Sequence, residues 1–228
     1  MELILIQVLV LVFSVVVHEV AHGWSALKLG DDTALRLGRL TLNPLPHIDP
    51  VGSIVVPLIM ALTMGFPIGW AKPVPVNPGR LHNPNDDHPK VAAAGPASNL
   101  LLAFIFAVLL GVTIAVGGYP AGGPHGEPSP LRFLFNMFQW GVFINVILAV
   151  FNLLPIPPLD GSWILSRFLP PEPRARYENL RRYGMMIFFG FILLMNYTPF
   201  GPLFRSVYMG VANQYFNIAE TIGRLGGG

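Results

Sequence analysis

The sequence predicts an all-α integral membrane protein, a multi-span helical bundle with a re-entrant or strand-like segment between its first and second full spans. Composition is the first reason. Of 228 residues, 53% are hydrophobic and only 11% charged, where an ordinary soluble domain has about 25% charged residues. Patterning is the second, because apolar runs recur at the length of about 20 helical residues that a hydrocarbon core about 30 Å thick requires. The placement of basic residues is the third, and it orients the bundle. The length suits about four to six membrane segments in a single membrane-embedded domain, residues 1–228, with no appended soluble module.

The first span runs from about Leu3 to Leu29. Met1-Glu2 offers no basic n-region and the apolar run is too long for a cleaved signal, so it reads as a retained helix. A second apolar stretch, Val51 to Trp70, is broken by Pro57, Gly65 and Pro67. The third span is Val91 to Val116 and the fourth Leu131 to about Leu154, separated by the Gly/Pro-rich loop Gly117 to Pro130. These elements form a core at about 3–165. A C-terminal portion at about 184–225 adds a fifth span, Gly184 to about Tyr197, and then a segment mixing apolar residues with Arg205, Asn213, Gln214, Asn217 and Glu220. That mixture suits an interfacial or partly inserted amphipathic helix.

Basic residues follow the first span (Lys28, Arg36, Arg39), precede the third (Lys72, Arg80, Lys90) and separate the fourth from the fifth (Arg167, Arg174, Arg176, Arg181, Arg182). The Gly117–Pro130 loop has none. These segments therefore face the cytoplasm and the loop faces outward. They read as topology signals rather than nucleic-acid contacts. Both flanks of Val51–Trp70 are basic, so this stretch enters and leaves on one side. Its prolines and glycines suit a re-entrant insertion whose backbone is buried in protein or wetted by a cavity.

Within the first span stand three ionisable residues, His18, Glu19 and His22, where each costs roughly 2.5–3.5 kcal/mol at mid-bilayer depth. On a helix, His18 and His22 lie one turn apart on one face, with Glu19 about 60° around the axis from His22. His-Glu-x-x-His in this form signals zinc held by two imidazoles beside a carboxylate base. The chain has no cysteine, so further ligands must be His or carboxylate, and a catalytic site needs three protein ligands with one position open. Asp160 is the best-placed third candidate. It follows Pro155, Pro157 and Pro158, which forbid a regular helix. It also lies seven residues before Arg167, much as His22 lies six before Lys28, so both sit just below the cytoplasmic face. The other reading of Asp160-Gly161 is a plain turn. His47 and Asp49, flanked by Pro46 and Pro50, either back up or compete with the ligands, or shape a turn. His82, His88 and His125 read as solvated loop residues.

His18-Glu19-Val20-Ala21-His22, Gly95-Pro96-Ala97-Ser98-Asn99 and the segment Asn152 to Gly161, in this order, resemble the site-2 protease family of intramembrane zinc metalloproteases. The resemblance covers about residues 10 to 165 and is to the short branch, which begins at the motif helix and lacks a PDZ domain. It implies one Zn²⁺ per chain, held by His18, His22 and Asp160, with Glu19 as general base. It further implies that Asn99 contacts the substrate backbone or the developing oxyanion; an interhelical hydrogen bond is the alternative. Asn152 would orient the Pro-rich segment. Trp70, Ala71 and Lys72, in Gly69 to Asn77, match a strand region along which an extended substrate could add.

The implied function is hydrolysis of peptide bonds within or near transmembrane helices of membrane proteins, by a protein of a prokaryotic plasma membrane whose site opens to the cytoplasm. The implied partners are such substrates and the lipid bilayer, with no nucleic acid. Two other readings use the same ligands. A catalytically silent zinc-binding scaffold or adaptor would need no base, which Glu19 argues against. A metal-ion transporter would need a polar path to the outer face, yet Leu3 to Leu11 and Phe104 to Val112 are almost wholly apolar.

Overall fold

The computed structural model describes residues 2–56, 59, 71–120 and 129–226. Among the described residues, three helices are long and apolar enough to cross a membrane: α1 (Glu2–Lys28), α3 (Pro84–Gly117) and α4 (Pro130–Asn152). The short α2 (Thr33–Arg36) follows α1. After α4 come α5 (Gly161–Phe168), α6 (Pro171–Asn179), α7 (Gly184–Tyr197) and α8 (Phe200–Gly226). No strand occurs among the described residues.

α1 buries Ile6, Val10, Ser14, His18, His22 and Ala26, a stripe at intervals of four, and exposes Ile4, Leu5, Val8, Leu9 and Val12. The stripe faces protein and the remainder suits lipid, because side chains four apart share one helix face. Its face meets α3 and α4, which run antiparallel to each other. Phe106 of α3 covers Gly141 of α4, and Leu131 packs at Gly117. Proline starts both helices, at Pro84 and Pro130, where the missing N–H costs nothing. At one end Arg132 pairs with Glu2 at 3.1 Å. At the other end Asp32 pairs with Arg80, and Asp86 with Arg167, each at 2.6 Å.

The C-terminal portion forms two helices, α7 and α8. α7 has 14 residues, about 21 Å at 1.5 Å per residue, too short to cross alone. The Pro171–Tyr197 stretch meets α8 at 91°. It is α8 that lies lengthwise on the bundle, parallel to α3. Ala212 packs with Ala103 and Val146, Ala219 with Leu110 and Phe135, and Gly223 against Ile114. The amphipathic pattern arises because Phe204, Ala212, Ala219 and Gly223 turn inward while Asn213, Gln214, Asn217 and Glu220 turn outward.

Much of Val51–Trp70 lies outside the described residues. Its start, Val51–Val55, is a π-helical turn. Its flanks are adjacent, because Lys72 N–H donates to the His47 carbonyl at 2.9 Å. Residues 71–77, which follow it, have no regular secondary structure and are pinned from several sides. Arg39 donates to the Lys72 carbonyl at 2.8 Å, and the fully buried Asp31 accepts from Asn77 N–H at 2.6 Å and from Thr33.

Gly95 sets how closely α3 approaches α1. A Cβ there would stand 2.6 Å from His18 Nε2 and closer still to His22 Nε2. Gly95→Ala is therefore expected to destabilise the metal-free protein by about 1–3 kcal/mol through overpacking. Gly190→Ala, whose Cβ meets nothing within 4 Å, should leave the melting midpoint in detergent unchanged or slightly raised. Indistinguishable midpoints for the two variants would contradict the close approach.

Candidate metal centre

His18 and His22 sit one turn apart on α1 with ring centroids 4.6 Å apart and planes at 85°. Each Nδ1 faces an acceptor: His22 Nδ1 lies 2.8 Å from the Val91 carbonyl, and His18 Nδ1 lies 2.6 Å from Asn99 Oδ1. With the Nδ1 protons committed to those acceptors, both Nε2 atoms carry lone pairs. They lie 3.0 Å apart.

Asp160 comes to them from the other side. After α4 ends at Asn152, the proline-rich stretch turns back on itself through short bonds, Ile156 N–H to Leu154 O and Leu159 N–H to Ile156 O. Gly161 completes the reversal. A Cβ there would lie no more than 2.5 Å from the Leu153 and Leu154 carbonyl oxygens, so only glycine allows so tight a fold. Tyr177 Oη on α6 donates to the Pro155 carbonyl and braces the turn. Asp160 Oδ2 then lies 3.2 Å from His18 Nε2, and Oδ1 3.4 Å from His22 Nε2.

Three acceptors thus converge, their ligand atoms all within 4.8 Å of one another. Asp160 Oδ2 is buried with no hydrogen-bond donor. Two imidazole lone pairs and a carboxylate facing one another repel, and an unsatisfied buried oxygen is costly. A cation removes both penalties. The donor set, two nitrogens and one oxygen with no thiolate, suits zinc with a position left for water.

A cavity of about 550 Å³ opens beside this cluster, lined by His18, Glu19, His22 and Asp160. Ala71, Pro73, Val74 and Val76 form another part of its wall, and Leu148, Phe151, Asn152, Met185 and Phe188 line it too. Glu19 Oε2 accepts from Val74 N–H at 2.7 Å, so the carboxylate at the cluster's edge is tied to the 71–77 segment.

Other expected site residues lie elsewhere. Asn99 is wholly buried and does not line the cavity. Its oxygen faces His18 and its nitrogen donates to Asn145 at 2.9 Å, so it joins α1, α3 and α4 by interhelical hydrogen bonds. Ala71 borders the cavity but Lys72 does not; its main chain is spent on His47 and Arg39 and its side chain is exposed. Trp70 lies outside the described residues. His47 Nε2 is 3.0 Å from the Thr41 carbonyl, and Asp49 accepts from Val51 N–H and Gly52 N–H, so both shape the turn. Asn152 donates to the Leu148 carbonyl and also lines the cavity.

His88 departs from expectation. It lies on α3, not in a solvated loop, edge-on to Trp163 at 3.9 Å, and both line the cavity. Arg181 covers Trp163. The start of α3 at Asn83-Pro84, seven residues before the apolar run at Val91, was the signal that could have found His88. His82 is exposed, and His125 lies outside the described residues.

The sequence profile of peptidase family M50 matches residues 126–195. The chain is 40% identical over 199 residues to YwhC of Bacillus subtilis, which bears a zinc metalloprotease name; the match covers 85% of this chain and 81% of that protein. Rip2 of Mycolicibacterium smegmatis, named likewise, is 34% identical over 188 residues, 82% of this chain and 64% of its own length. The zinc metalloprotease RasP of Geobacillus kaustophilus is 36% identical over 62 residues, 27% of this chain and 14% of that protein. No solved structure matches this chain. Identity at that level over most of YwhC's length, together with the matched profile, means that the chain belongs to peptidase family M50 and is a membrane-embedded zinc metalloprotease.

Proposed function

We propose that the protein is an intramembrane endopeptidase that cleaves membrane proteins within or near a transmembrane helix, with His18, His22 and Asp160 holding one zinc and Glu19 as general base. The observation that carries this reading is the convergence of His18, His22 and Asp160, with ligand atoms within 4.8 Å of one another, beside Glu19 on the wall of the same cavity. A purely structural site closes its fourth position with a protein ligand and needs no base.

Zinc, when bound, supplies a Lewis acid that polarises the scissile carbonyl and acidifies water. Glu19 accepts a proton from the attacking water and returns it to the departing amine. The Val74 N–H holds one carboxylate oxygen and so fixes how the group is presented. A substrate helix has its amides locked in internal bonds, so it must unwind before attack. The Ala71–Val76 stretch supplies a wall along which an unwound segment can lie, and Val15, Leu148, Phe151 and Phe188 give its side chains apolar surroundings. The basic residues support a cytoplasmic opening, since Arg80 pairs with Asp32 and Arg167 with Asp86 at the end of the bundle where Asp160 sits.

Glu19→Gln should retain zinc while cleavage of a single-span substrate falls about 10²- to 10⁴-fold. Full function in that variant would favour a scaffold instead. His22→Ala and Asp160→Ala should each lose most of the bound zinc, read as metal content per chain after dialysis; retention of a full equivalent by either would remove it from the ligand set. Replacing a substrate's helix-weakening Gly or Pro by Leu should slow cleavage, and unchanged rates would count against the unwinding step.

A further inference from the structure

We infer that Asn145 and Ser14 are positioning residues for the metal site, acting through Asn99 to hold His18 with its proton on Nδ1. The inference rests on the assignment of His18 as a zinc ligand.

The path is short and wholly buried. Asn145, on α4, is completely inaccessible, as are Ser14 and Asn99. Its Nδ2 donates to the Gly141 carbonyl at 2.8 Å and to Ser14 Oγ at 2.8 Å. A main-chain carbonyl only accepts, so the end of the Asn145 amide that meets it is the NH₂ end. That leaves Asn145 Oδ1 facing Asn99, whose Nδ2 donates to it at 2.9 Å and approaches the Ser14 carbonyl at 3.4 Å. The Asn99 oxygen must then face His18 Nδ1, 2.6 Å away, and can only accept. The imidazole proton is therefore fixed on Nδ1 and the Nε2 lone pair turns to the cluster.

His22 needs no such chain, because the Val91 carbonyl fixes its tautomer directly at 2.8 Å. His18 depends on an amide, a group that could present either end. The anchor at Gly141 removes that freedom. Were the Asn99 amide reversed, its NH₂ would face Nδ1, the proton would move to Nε2, and the ligand position would be blocked. Three helices contribute, α1, α3 and α4, so the tautomer reports on their mutual packing.

The test compares the purified wild type with Asn145→Leu and Ser14→Ala. Zinc affinity is read by competition with a chromophoric chelator, and the His18 tautomer by ¹⁵N shifts of the metal-free, histidine-labelled protein. Asn145→Leu should weaken zinc binding about 10- to 100-fold, the usual effect of removing a group that orients a ligand, and move proton population to Nε2 of His18 but not of His22. Ser14→Ala should do the same to a smaller extent and decides the matter if Asn145→Leu does not fold. In an Asn99→Asp background either carboxylate oxygen accepts from Nδ1, so adding Asn145→Leu should change the affinity less than threefold. Wild-type affinity and an unchanged His18 tautomer in the variants would overturn the inference alone. A wild type that binds no zinc would overturn the ligand assignment beneath it.

Discussion

Two imidazole lone pairs and a carboxylate, held face to face inside an apolar bundle, have no stable arrangement without a positive charge between them. Everything near the site is organised to keep them in that posture. The Nδ1 protons are drawn off to the Val91 carbonyl and Asn99, and Gly95 lets α3 close over the rings. The reversal at Gly161 brings Asp160 back under α4. Relaxing any one of these would let a nitrogen take up a proton, or let the carboxylate find a donor, and the binding force would be lost.

The base is governed from a different quarter. Glu19 shares the helix of the two histidines, but its hydrogen bond runs to Val74 in a segment secured by Asp31 and Arg39 at the charged end of the bundle. The ligands are thus positioned by helix packing and the proton acceptor by loop anchoring. This division explains a buried carboxylate and a buried guanidinium in a stretch with no metal or substrate role of its own.

The sequence announces residues whose chemistry conflicts with their surroundings. His18, Glu19 and His22 stand out because hydrocarbon penalises them, and Asp160 because prolines deny it a helix. The long spans α1, α3 and α4 are legible for the same energetic reason. Asn99 was visible as a motif residue, but its partner was not, because the choice between substrate and His18 depends on how helices 81 residues apart in sequence pack. Asn145 and Ser14 gave no signal at all; an asparagine or serine in a span looks the same whether it faces a neighbour or a ligand. How α8 meets its neighbours was not legible either, because its seat on α3 is set by small residues, Ala212, Ala219 and Gly223, that hydropathy does not single out.

On α1 one line of side chains, from Ile6 through Ser14 to His22 and Ala26, does the packing, the bracing and the ligation in succession. Each residue advances the helix by about 100°. One inserted or deleted residue between Ile6 and Ser14 would therefore swing the lower half through more than a quarter turn, aiming both imidazoles at acyl chains while leaving composition and hydropathy almost untouched. The count of residues along this helix is as binding a constraint as their identity.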